Sequence, residues 1–87
     1  MGCGLFTREN GEKIAEKKRM VSILIKLLKK DKDWEVRKWA TFALGEIGEK
    51  APEKEKVIAA LIDALEDKDY RVRRNATFTL GYIEIKQ

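Results

Sequence analysis

The side chains able to do chemistry in this chain are few, and they recur at a fixed interval. Two carboxylate pairs, Asp31/Asp33 and Asp67/Asp69, are each followed by an arginine, Arg37 and Arg73, six residues after the first aspartate. Paired carboxylates suit general acid–base work when one of them is held protonated. An aspartate just ahead of an apolar run has a plainer task, which is to accept the free N–H groups at a helix start. Both pairs stand at such junctions, and helix capping is the favoured reading. Histidine is absent, which removes His-dependent triads, His metal sites and HExxH chemistry. The single cysteine, Cys3, can form neither an intramolecular disulfide nor a thiolate zinc site, and reads as an exposed, incidental thiol. No Gly-rich phosphate cradle is present, since Gly45 and Gly48 belong to a helix end. The expectation is a non-enzymatic protein with no catalytic, metal or cofactor-binding residue.

A second set of residues could bind rather than react. Trp34, Lys38, Trp39 and Phe42, with Tyr70, Arg71, Arg74 and Phe78, flank the apolar stripe of two helices, together with Glu35 and Asn75. Aromatics and arginines at half-exposed sites are the profile of a contact hot spot. The alternative is internal packing, with Trp34 and Tyr70 against the inter-helix turns and Phe42 and Phe78 in a seam.

The elements that must position these groups come in two copies. Residues 11–47 align with residues 48–83 when one extra lysine, Lys30, is allowed in the first, and 19 of the 36 paired positions are identical. A period of this length marks a helical solenoid, in which each helix pair buries its apolar side only by stacking on a neighbour. The pattern predicts four helices and no strand. The first runs from about Glu12 to Lys30, with Val21, Leu24, Ile25 and Leu28 on its stripe and Ile23 and Leu27 widening it. Asp33 caps the second, which buries Val36, Ala40, Ala43, Leu44 and Ile47 and is ended by a left-handed Gly48. Pro52 opens the third, whose face is Val57, Ile58, Leu61, Ala64 and Leu65. Asp69 caps the fourth, which buries Val72, Ala76, Leu80 and Ile83. Glycine inside a helix costs about 1 kcal/mol relative to alanine, so Gly45 and Gly81 at matching places suggest close helix approach. Residues 1–10 fit neither copy. They are a leader or a partial cap with Leu5 and Phe6 as its apolar contacts, ahead of a single domain over 11–87.

Bulk properties set outer limits. Lysine and arginine exceed aspartate and glutamate by 19 to 15, a net of +4, and 44% of the residues are hydrophobic. This is a folded rather than a disordered composition, with a charge excess too small to define a partner. No stretch approaches a membrane span. Met1-Gly2 lacks the hydroxyl residue that a myristoylation motif wants at position 6, where Phe6 stands. With one cysteine, a cytoplasmic setting is expected, and the Lys/Glu-rich usage is similar to that of thermophiles.

The unit D-x-D-x-x-V-R-x-x-A-x-x-A/T-L-G-x-I resembles the HEAT repeat, in particular the HEAT-like subclass of phycobilisome lyases. The subclass is suggested by the lack of a proline inside the first helix. The resemblance implies an all-α, short α-solenoid of two HEAT-like helix pairs. It also implies a ladder of charge-assisted hydrogen bonds between repeats, carried here by Asp31, Arg37, Asp67 and Arg73. Second helices line the concave surface in such proteins, so the expected function is binding of a protein or peptide there, centred on Trp39 and Phe42 beside Arg71 and Arg74. Nucleic-acid binding on the same face, as in HEAT-like DNA glycosylases, is the alternative, and a bilin lyase or its subunit is a remote one. The iron-dependent hydroxylases of this kind are excluded by the missing histidines. Two repeats are fewer than the three or so that stacked arrays generally need, so a homodimer through the terminal repeats, two-fold in its simplest form, is expected.

Overall fold

The computed structural model describes the backbone over residues 2–48 and 53–86, and side chains over 13–47 and 53–83. Four helices follow one another, α1 (Gly2–Lys30), α2 (Trp34–Gly48), α3 (Lys54–Ala64) and α4 (Tyr70–Lys86). No strand occurs among the described residues. The expected start of the first helix near Glu12 is corrected: residues 2–10 continue α1, giving it 29 residues. Two glycines in that stretch, Gly2 and Gly4, weaken the helix but impose no steric break of the kind a proline would. The side chains of Leu5 and Phe6, like Pro52 at the expected opening of the third helix, lie outside the described residues.

The aspartate pairs build both described turns in the same way. Asp33 Oδ1 accepts the backbone N–H of Glu35 at 2.9 Å, and Asp69 Oδ1 accepts that of Arg71 at 2.8 Å. One turn earlier in the chain, Asp31 and Asp67 each accept the N–H of the residue two further on, at 2.9 Å. Each turn thus satisfies its own backbone donors, and the helices leave at a defined angle. Gly48 does not act as a left-handed stop. It is the last residue of α2, and no described glycine has positive φ.

α1 lies against α3 and α2 against α4, with α2 also touching α3. Leu28, Leu44, Leu61, Val57, Val72 and Ala76 form the centre of one contiguous core, on which Leu24, Ile25 and Leu80 pack half-buried. Leu65, expected in that core, is 36% exposed, whereas its repeat equivalent Leu28 is 3% exposed. The cause is stacking: Leu28 faces the second helix pair, and Leu65 sits on that pair's open side.

The two recurring glycines also differ. A Cβ on Gly45 would collide with Thr79 Cγ2, while a Cβ on Gly81 would meet nothing within 4 Å. Close approach therefore explains Gly45 and not, within one chain, Gly81. Gly45→Ala should lower unfolding free energy by about 1–2 kcal/mol through overpacking. Gly81→Ala should raise it by about 0.5–1 kcal/mol through helix propensity. Urea denaturation of both variants reads the two signs.

Candidate binding face and the junction beneath it

Arg37 anchors the junction. It projects from α2, its side chain only 4% exposed, and meets Asp67 in the α3–α4 turn. Nε donates to Asp67 Oδ2 at 2.9 Å and Nη2 to Oδ1 at 3.0 Å, a bidentate pair across the two repeats. Nη1 turns the other way and donates to the carbonyls of Asp31 and Lys32, at 2.9 and 3.2 Å. The Asp67 hydrogen bonds, opposed by burial, hold the guanidinium pKa above its ordinary value. Asp31 supplies Arg37 with a carbonyl, and its carboxylate is used on its own turn. Arg73 donates through Nη1 to the Asp67 carbonyl at 2.6 Å and makes no ion pair among the described residues.

Beside this rung lies a polar seam that the sequence reading missed. Thr41 is fully buried, its hydroxyl 2.7 Å from Asn75 Oδ1 and 2.6 Å from the Lys38 carbonyl. Thr79, also buried, donates to the same Asn75 oxygen at 3.2 Å. Asn75, grouped above with the surface positions, is thus a seam residue between α2 and α4. The signal lay in the spacing, because Thr41 and Gly45 fall one turn apart beside the apolar stripe. A hydroxyl there is as buried as its neighbours.

Above the seam the aromatic and basic residues assemble. Arg71 stacks over the Trp34 ring at 3.5 Å and lies 5.3 Å from the Tyr70 ring. Lys38 Nζ sits 4.8 Å from the centroid of Trp39 and 5.5 Å from that of Trp34. Trp39 and Phe42 meet edge to face at 5.9 Å. Trp34 is half-buried against the core, while Trp39 and Tyr70 are exposed. Farther along, Phe42 and Phe78 line a shallow depression of about 120 Å³ with Gly45, Glu46, Thr79 and Tyr82. Phe42 is 46% exposed and Phe78 71%. Arg74 is exposed and joins none of these contacts.

Arg71 is held twice, because Asp69 takes its Nε at 3.0 Å and its Nη2 at 2.9 Å. Those hydrogen bonds from Arg71 lower the Asp69 pKa to about 2. No described group of three or more histidine, cysteine, aspartate or glutamate side chains could hold a metal ion. No described helix is long and apolar enough to cross a membrane.

Two helix pairs in one sequence register, joined by an arginine–aspartate rung, define an α-helical repeat protein. The profile of HEAT repeats matches residues 14–86, and the chain belongs to the HEAT-repeat family. No curated protein and no solved structure matches it. HEAT repeats generally serve as protein-interaction or scaffold modules without enzymatic activity.

Two measurements separate the roles of the charged residues. Arg37→Ala strands the Asp67 carboxylate, whose side chain is 11% exposed, and should cost about 3 kcal/mol, the lower end for a pair that is not wholly buried. Arg73→Ala removes one hydrogen bond to a carbonyl and should cost about 1 kcal/mol. Chemical denaturation resolves this gap, and equal losses would contradict it. For Asp69, the folded pKa lies below the ordinary 3.8, so its contribution is whole above that pH and fades as pH falls toward 2. Asp69→Asn keeps a capping oxygen but loses the ion pair. The gap in melting temperature between parent and variant should therefore be present at neutral pH and close between about pH 4 and pH 2.

Proposed function

We propose that this chain is a protein-interaction module that holds a protein or peptide segment along the face shared by α2 and α4. The supporting observation is the pair Phe42 and Phe78, both largely exposed beside one apolar depression, with the cation-bearing aromatic cluster continuing from it. Exposed aromatics on rigid helices give contact area at little entropic cost, which is what hot spots use. Trp39, Phe42 and Phe78 are the anchors. Lys38 and Arg74 are the cations at their edge, and Trp34, Tyr70 and Arg71 are the stacked flank.

Nucleic acid is a weaker fit for this face. Arg71 is already committed to Asp69, Lys38 is spread over two indoles, and Glu46 lines the depression. Within the family, the repeat motif and the proline-free first helix favour the HEAT-like subclass seen in phycobilisome lyases. A bilin lyase reaction draws no support, since the depression is well under the roughly 300 Å³ of a small-ligand pocket. Self-association through the terminal repeats belongs to the same reading, because both ends of the stack carry exposed apolar residues such as Ile23 and Ile62.

Selection of a random peptide library against the chain tests the binding face. Enriched peptides should lose about 30-fold or more in affinity for a Phe42→Ala/Phe78→Ala variant, the scale of a hot-spot loss. Peptides that bind parent and variant alike would end this reading. Tight, salt-sensitive binding of single-stranded oligonucleotides instead would transfer the face to nucleic acid.

A further inference from the structure

The junction inside the chain is a template for contacts that both of its ends leave unmade. Where α3 faces α1, Val57 is fully buried and Ala60 is 3% exposed. Their repeat equivalents on the open side of α1, Met20 and Ile23, are 43% and 51% exposed. A shallow trough of about 280 Å³ runs past those two residues. At the opposite end the relation is reversed. Ile62 and Leu65 of the second pair are exposed, whereas their equivalents Ile25 and Leu28 in the first are covered. One end thus has the shape of the upper half of the internal interface, and the other end that of the lower half.

The polar groups repeat the relation. Arg37 finds Asp67 across the internal junction. Its equivalent Arg73 has no carboxylate partner among the described residues. Asp31, the equivalent of Asp67, takes a backbone N–H from its own turn and has no ion-pair partner among the described residues. Gly45 gives way to Thr79 at the junction, while no described residue comes within 4 Å of a Cβ placed on Gly81. In the same register Gly81 would meet the residue equivalent to Thr79, which is Ala43, a side chain small enough to enter.

We propose that a second copy of this chain docks head to tail. The α3–α4 end of one copy lies on the α1–α2 end of the next in the register of the internal junction. Arg73 then donates to the next copy's Asp31, and Ile62 and Leu65 cover the next copy's Met20 and Ile23. This rests on the self-association reading above and replaces the two-fold dimer with a directional contact. A two-fold contact sets each end against its own copy, so Arg73 on one end never reaches Asp31 on the other. A head-to-tail contact makes the missing rung and leaves one free end of each kind, so it propagates beyond a dimer, into an open chain unless the rotation closes a ring.

Sedimentation from low micromolar to hundreds of micromolar is the test. The parent mass should rise with concentration beyond twice 10.1 kDa. Arg73→Glu and Asp31→Arg should each sediment as monomers, and their equimolar mixture should regain the large species, because each faulty end meets its charge complement. Gly81→Leu should keep or raise the melting temperature while blocking assembly, which serves as the readout should either charge variant fold poorly. A mass that stops at twice 10.1 kDa and responds to only one of the two charge reversals would overturn the head-to-tail geometry while leaving self-association standing. A parent that stays monomeric throughout would overturn both.

Discussion

The bidentate bond between Arg37 and Asp67 fixes the relation of the two helix pairs. A charged pair this far from water is expensive to bury, and good geometry is what offsets the cost. Here the geometry is complete. The guanidinium turns its remaining nitrogen, Nη1, to two carbonyls of the α1–α2 turn, and Asp67 uses one oxygen both for the arginine and for its own turn. Three segments therefore meet at one side chain: the α1–α2 turn, the body of α2 and the α3–α4 turn. Sliding one pair past the other by a residue would break both bonds between Arg37 and Asp67, so the rung sets register as well as adding stability.

Close packing follows from that register. Ala40 and Ala76 are buried where α2 and α4 lean together, and Gly45 admits the Thr79 methyl. The Thr41–Asn75–Thr79 cluster satisfies its own hydroxyls in the same seam. No described buried side-chain nitrogen or oxygen lacks a partner, as a low-dielectric interior requires. A single helix pair could not hide these surfaces, because half of its apolar stripe faces along the stack.

The same rigidity serves the outer face. Arg71 is clamped between the Trp34 ring and Asp69, so it behaves as a strut for the turn as well as a rim for a partner. Trp39, Phe42 and Phe78 stand on helices whose backbones are pinned from below, and their exposure is not relieved by any described neighbour. Preorganised aromatics of this kind give up little freedom on binding.

The residue pattern alone determined the architecture. Apolar spacing, aspartate caps and a recurring interval are local signals, and they led to four helices in two pairs, to most of the core and to the HEAT resemblance. They failed where equivalent letters take unequal roles. Leu28 and Leu65, Gly45 and Gly81, and Arg37 and Arg73 read alike in the two copies, yet the first of each meets the other helix pair and the second does not. The burial of Thr41, against the exposure of Phe42 and Phe78 beside it, escapes a local reading for the same reason. Sequence fixes what a helix can present. Only the neighbour on the stack decides which of those groups is taken out of water, and that neighbour lies on one side of each pair.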